Sequence, residues 1–349
     1  MSNIFSIESS CDDTSFSVVD PCGNVLLRRD ASQVEKHQQF GGVLPEVASR
    51  LHFDVLNELY LSMESDLASI KLEKIAVTCA PGLVGSLLVG VSFAQGLAFG
   101  KSLDFVGVHH LRGHVASVLL ASQKEAKKES TLAERACEIF PAFVLLCSGG
   151  HTQLLKSDPQ LKISQVFETR DDAVGECFDK CAKMMGLDYP GGPQIEKLAQ
   201  RSQGNSDKIK ELKEKLPRPK LKEAFSFSGL KSAFRRFMES ADAKNYAQED
   251  IAFVLQERIL DFLLYPLEKF FKENFFENEN FVLCGGVAAN LKLRERLELF
   301  SKKYKMKVYF PHLEYCMDNA AMIGAAAQIQ SESNHLDEVM PRLPFRSFL

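Results

Sequence analysis

The chain has no surplus of basic residues: 42 Lys and Arg stand against 46 Asp and Glu, a formal net charge of -4. No global positive field marks a nucleic-acid binder, so any RNA contact has to come from a local patch. The nine cysteines include no Cys-x-x-Cys pair, and the chain does not open on a basic segment followed by an apolar core. That pattern argues against a secreted disulfide framework and for a cytoplasmic location. No apolar run is uninterrupted either: in residues 83–100, the most apolar stretch, Ser86, Ser92, Gln95 and several glycines intervene. A buried helix suits it better than a membrane span, and none is expected.

With 45% hydrophobic residues, the 349-residue chain has material for two packed lobes. Residues 4–8, 15–20 and 25–29 read as strands, the last two joined by the turn Pro21-Cys22-Gly23-Asn24. A similar opening recurs at residues 142–147, 151–156 and 161–168, with Ser148-Gly149-Gly150 as its first turn. Strands at 74–78 and 105–109 flank an apolar helix starting near Gly85, and residues 281–284, 288–301 and 306–310 repeat that strand, helix, strand order. This predicts an α/β chain of the two-lobed actin-like ATPase superfold shared by sugar kinases, heat-shock ATPases and actin, with a nucleotide between the lobes. The first lobe is expected over residues 1–115, completed by 316–349, and the second over 116–315. Residues 122–138 and 201–223 read as charged surface segments.

Several residues can carry chemistry. His110 and His114 are one helical turn apart and share a face, so both can grip one metal ion. The residues between them, Leu111, Arg112 and Gly113, lack the glutamate that a zinc protease uses as general base. Asp318 precedes Asn319-Ala320-Ala321-Met322-Ile323-Gly324 and reads equally as a third ligand and as the N-cap of a tightly packed helix. Two histidines and one carboxylate leave coordination positions open, as in iron(II) sites and in some zinc sites.

Glu8-Ser9-Ser10-Cys11-Asp12-Asp13 follows the first strand, where its polar groups can orient magnesium or phosphate or simply form a turn. Cys147-Ser148-Gly149-Gly150-His151 offers backbone N–H groups to a phosphate. Cys284-Gly285-Gly286-Val287-Ala288-Ala289-Asn290 admits either a ligand against bare backbone or close strand–helix packing. Asp171, Asp172, Glu176 and Asp179 are expected on one amphipathic helix beside Tyr189-Pro190-Gly191-Gly192-Pro193.

In their order and spacing these motifs, together with Gly41-Gly42-Val43-Leu44-Pro45-Glu46-Val47-Ala48-Ser49-Arg50 and Phe225-Ser226-Phe227-Ser228-Gly229-Leu230-Lys231, resemble the universal tRNA threonylcarbamoyladenosine transferase family over about residues 3–330. The resemblance implies transfer of a threonylcarbamoyl group from threonylcarbamoyl-AMP to the exocyclic amine of the adenosine 3′ of the anticodon in tRNAs reading ANN codons. It implies one divalent metal per subunit, iron(II) ahead of zinc(II), on His110, His114 and Asp318. Donor contacts carry over to Cys147, Ser148, Gly149, Gly150, His151, Asp179, Gly192, Glu196 and Asn290. ATP with magnesium is a further expected ligand, at Glu8, Ser10 and Asp12.

Expected partners are tRNA, a paralogous actin-like protein and a small ATPase, with no membrane. Three positions depart from the family pattern: Glu196 replaces a common aspartate, Arg112 a common acidic residue, and Ala80 the glycine before Pro81-Gly82. A non-catalytic paralogue of the family lacks the metal histidines, so His110 and His114 point to the catalytic branch. Two rival readings are a small-molecule kinase of the same superfold and a non-enzymatic nucleotide-binding partner. In the segment 208–236, ten Lys or Arg against three Glu make the densest positive stretch and the expected tRNA contact.

Overall fold

The computed structural model describes residues 3–40, 42–122, 129–204, 207–274, 276 and 279–330. Gly41 of the 41–50 loop, residues 123–128 and 205–206 of the two charged segments, and residues 331–349 of the expected closing segment lie outside them. The described residues fall into two compact units. One holds the chain up to Val144, Lys156–Gln165 and the part from Tyr309 on; the other holds Leu145–Leu155 and Val166–Val308.

Among the described residues, ten strands form two five-stranded sheets. The first contains β1 (Asn3–Glu8), β2 (Asp13–Val19), β3 (Val25–Ser32), β4 (Leu72–Ala80) and β5 (Asp104–His109), in the order β3-β2-β1-β4-β5. The second contains β6 (Ala142–Cys147), β7 (Thr152–Ser157), β8 (Ile163–Glu168), β9 (Asn280–Cys284) and β10 (Lys307–Tyr309), in the order β10-β9-β6-β7-β8. Each sheet thus starts at its centre, builds two strands outward on one side, then two on the other. The similar openings in the sequence are the two copies of this plan. In the first sheet β1 pairs antiparallel with β2 and parallel with β4, as a hairpin followed by a helical crossover requires.

Alternation along β1 sorts its side chains between two helical layers. Phe5 and Ile7 join a core with Phe16, Val18, Ile75 and Val77 of the sheet and Leu56, Val91 and Ala94 of the helices Pro45–Leu61 and Val84–Lys101. Val84–Lys101 is the one helix among the described residues long and apolar enough to cross a membrane; here Leu87, Val91, Ala94 and Ala98 are buried in the unit's core. Ser6 points the other way and donates to the Ala320 carbonyl at 2.7 Å. The helix Ala320–Ile329 lies close to the sheet because its residues are small: a Cβ on Gly324 would stand 2.8 Å from Val19 Cγ2.

Two expected helices differ. The one over 288–301 is a 3-10 turn, Gly286–Ala289, followed by a separate helix, Leu291–Lys303, because Asn290 has an extended backbone and its side chain caps Leu293 N. The helix expected to carry four acidic residues is Val174–Met184, so Asp171 and Asp172 precede it. Asp171 instead accepts from Ser226 Oγ, Phe227 N, Ser228 N and Ser228 Oγ, tying down the start of the helix Ser228–Glu239. These donors, outweighing partial burial, hold its carboxyl below the usual aspartate range.

Candidate functional site

The first unit brings three side chains together at the N-termini of two packed helices. The helix His110–Ala116 follows β5 directly, and His109 caps it by accepting from Leu111 N. Gly113 lets it lie against Ala320–Ile329, since a Cβ there would stand 2.8 Å from Ile323 Cδ1. The N-cap of that second helix is Asn319, whose Oδ1 accepts from Met322 N at 3.0 Å. Of the two readings of Asp318, the cap therefore falls away, and its carboxylate faces the histidines. Asp318 Oδ1 is 3.1 Å from His114 Nε2 and 3.5 Å from His110 Nε2.

The ligand atoms of His110, His114 and Asp318 all lie within 4.8 Å of one another, and this trio is the metal-ligating group found among the described residues. Atoms bound to one ion at about 2.0–2.2 Å stand roughly 3–4 Å apart, so a small contraction would bring all three within reach of one ion and leave further positions open. The fit shows best at His114: the ring is fully buried, Nδ1 has no hydrogen bond among the described residues, and Nε2 faces only the Asp318 carboxylate at 3.1 Å, out of line for a hydrogen bond. Such a poorly aligned buried contact is costly unless a ligand joins the ring to the carboxylate.

Glu8 completes the arrangement from behind. It is buried at the end of β1; its Oε1 accepts from Ser10 N at 2.6 Å, and its Oε2 accepts from Thr78 Oγ1 at 2.6 Å. His110 Nδ1 lies 3.1 Å from Glu8 Oε2 and 3.2 Å from Ser10 Oγ. The carboxylate thereby holds one ring nitrogen and turns the other toward Asp318, as partners of metal-bound histidines do. Burial opposes a charge on His110, yet Asp318 and Glu8 outweigh it and push its pKa up from 6.5 to about 9.

Glu8 had been grouped with Ser10 and Asp12 as a phosphate or magnesium site. Its oxygens are engaged by Ser10, Thr78 and His110, which makes it a partner of His110 that sequence reading missed. Asp12 remains in the loop that follows, and Asp13 opens β2. Burial raises both carboxyls, Asp13 to about 7, and neighbouring acids including Asp318 add to the shift.

The second unit carries the remaining candidates. Cys147 ends β6 and is buried; Ser148–Gly150 make the turn, where Ser148 Oγ accepts from Gly150 N and His151 N at 3.3 and 3.0 Å. Asp179 Oδ1 accepts from Gly191 N at 2.7 Å, and Glu196 accepts from Leu291 N at 2.7 Å. Asn290, besides capping, donates to Gln256 Oε1 at 3.0 Å. All three side chains thus hold helix N-termini of their own unit.

The glycines divide by cause. At Gly285 the backbone is left-handed, with φ 91°, and a Cβ would meet the Cys147 carbonyl oxygen at 2.4 Å. Close packing is the reason for that glycine, and Gly285→Ala should cost about 2–5 kcal/mol from strain and overlap together. A thermal midpoint equal to that of the parent chain would refute this. Gly149 and Gly150 meet nothing within 4 Å, and Gly192 makes only ordinary contacts, so protein packing does not demand glycine at these three positions.

Comparison with known proteins accords with these features. A family profile described as TsaD, tRNA N6-adenosine threonylcarbamoyltransferase, matches residues 24–325. A tRNA N6-adenosine threonylcarbamoyltransferase of Bacillus licheniformis is 39% identical over 339 residues, covering 94% of this chain and 92% of the relative. One from Fervidobacterium nodosum is 38% identical, covering 96% and 95%. Among solved structures, the activator of the 2-hydroxyisocaproyl-CoA dehydratase from Clostridium difficile, with bound ADPNP, superposes with a TM-score of 0.50 at 14% identity, covering 94% of this chain and 92% of that one. That likeness concerns the fold, which is the actin-like ATPase fold expected from the repeated strand order. By sequence, over nearly its whole length, the chain belongs to the tRNA N6-adenosine threonylcarbamoyltransferase family.

Proposed function

We propose that this chain moves the threonylcarbamoyl group of threonylcarbamoyl-AMP onto the exocyclic amine of the adenosine 3′ of the anticodon in tRNAs reading ANN codons, using one divalent metal ion held by His110, His114 and Asp318. Family membership carries the reaction, and the convergence of His110, the buried His114 ring and Asp318 carries the metal. Iron(II) is favoured over zinc(II) because two imidazoles and one carboxylate with open positions suit it. When bound, the ion supplies Lewis-acid polarisation of the donor.

The chain's own groups do the rest. Glu8 fixes His110, and the glycines at 149, 150 and 192 leave backbone open to the adenylate. Asp179, Glu196 and Asn290 shape that face through the helix N-termini they hold. The amine nitrogen bonds to the carbamoyl carbon and gives up one proton to solvent, the bond from that carbon to the phosphate oxygen breaks, and AMP leaves as the phosphate anion. AMP is a good leaving group, so placement suffices and no protein nucleophile is needed; none of the nine cysteines is assigned a role. The kinase and scaffold readings give way, since the relatives carry transferase names. ATP with magnesium at Ser10 and Asp12, a cytoplasmic location, and partnership with an actin-like paralogue and a small ATPase belong to the same proposal.

The reading is tested by incubating tRNA with the full chain, a donor-forming synthase, threonine, bicarbonate and ATP, alone and with partner proteins. Nucleoside mass spectrometry should show threonylcarbamoyladenosine in ANN-reading tRNAs; its absence in every combination refutes the proposal.

Proton and metal compete for His110. Its raised pKa means that the proton stays bound until pH passes about 9, so binding the ion expels it. Apparent metal affinity should therefore rise about tenfold per pH unit from 7 to 9 and then level off. A flat profile in a chelator competition titration would show that no proton leaves His110 when the ion binds.

A further inference from the structure

The basic segment 208–236 changes character once its side chains are placed. Lys210 pairs with Asp207, Lys215 with Asp242, Arg218 with Glu214, Lys222 with Glu273, Lys231 with Asp172 and Arg235 with Glu239. Lys213 lies over the Phe253 ring. Of ten cations, only Lys208, Lys220 and Arg236 have no such partner among the described residues. Two of these three, Lys220 and Arg236, line one cavity of about 280 Å³ in the second unit.

That cavity has a mixed lining. Arg218, Lys220 and Arg236 contribute charge, Pro219, Leu221 and Phe262 contribute apolar surface, and among the described residues none of the lining is acidic. Its wall is preorganised: Asp171 ties down Ser226 and the start of the helix that carries Gly229, and Phe225 pairs with Thr169 beyond β8. A rigid wall lowers the ordering cost of binding.

We propose that this cavity holds one unstacked nucleotide of the tRNA substrate, its phosphate on Lys220 and Arg236 and its base against Leu221 and Phe262. The proposal rests on the transfer reaction above for the identity of the RNA. A nucleotide combines a single negative charge with a flat apolar face, and both halves of the lining are then used. An acidic protein segment would use the cations and leave the apolar floor uncovered.

The test compares two charge-reversed double variants of the full chain, alone and with added partner proteins. In Lys220→Glu/Arg236→Glu, tRNA affinity at low salt should fall at least about tenfold, and the slope of log affinity against log salt should flatten by roughly 1–2. In Lys222→Glu/Arg235→Glu, whose parent residues are neutralised locally, affinity and slope should change little. Phe262→Leu should weaken binding by a factor of several at every salt concentration, because stacking is not screened. Circular dichroism and thermal midpoints establish that each variant is folded. Equal losses in both double variants would overturn the proposal in favour of a diffuse field. Unchanged tRNA binding in the cavity variant, with wild-type chain still modifying tRNA, would overturn it while leaving the reaction standing, and would hand the cavity to an acidic protein partner.

Discussion

His114→Ala is expected to strip the metal and lower threonylcarbamoyl transfer by at least about a thousandfold, a loss of several kcal/mol of charge stabilisation, while leaving the fold in place. The ring is fully buried, with Nδ1 unbonded and Nε2 facing only the Asp318 carboxylate. Truncation therefore opens a cavity, which destabilises, and removes the unsatisfied Nδ1, which stabilises. The two effects oppose each other, so the metal-free variant should unfold within about 2 kcal/mol of the metal-free parent. Asp318→Ala should lose metal in the same way, and its cost to the helix should be small because Asn319, not Asp318, supplies the cap. Metal content by mass spectrometry and single-turnover transfer check both variants together. Retained transfer in a chain that has lost its metal would break the link between the trio and the chemistry.

Glu8 variants should separate stability from metal affinity. Glu8→Ala leaves the Ser10 N–H, the Thr78 hydroxyl and the His110 ring without their shared acceptor in a buried place. Breaking such a charged, hydrogen-bonded site by removing one partner costs about 3–5 kcal/mol, so this variant should melt well below the parent. Glu8→Gln keeps the volume and one carbonyl oxygen but weakens the hold on His110 Nδ1. Its expected signature is a modest stability change with metal affinity down about 10–100-fold, the usual cost of losing an outer-shell partner. Parent-like metal affinity in Glu8→Gln would reduce Glu8 to a structural residue.

Much of this was legible along the chain, for reasons that differ by element. The strands of both sheets are short apolar runs closed by turn residues, such as Pro21-Cys22-Gly23-Asn24, and local pattern suffices to find them. The His110/His114 pair was visible because helical spacing is a local property. Glu8 was misplaced because its partner His110 lies 102 residues away, and no local signal tells a carboxylate that steadies a histidine from one that meets magnesium. Asp318 and Asn319 are both good capping residues, and only the packed helix decides between them. Asp171 was put on a helix by its spacing, whereas four donors from residues 226–228 claim it. Within the basic run, charge counting cannot see that Glu273 lies against Lys222 or Asp172 against Lys231.

The central claim, that transfer to tRNA runs through one ion on His110, His114 and Asp318, is tested most directly by returning metal to the stripped chain. Chelated protein should be inactive, and stepwise addition of iron(II) under anaerobic conditions should restore threonylcarbamoyladenosine formation linearly to a plateau at about one ion per chain. His114→Ala should stay inactive throughout the titration. Full transfer by the stripped chain, or equal recovery in His114→Ala, would contradict the account.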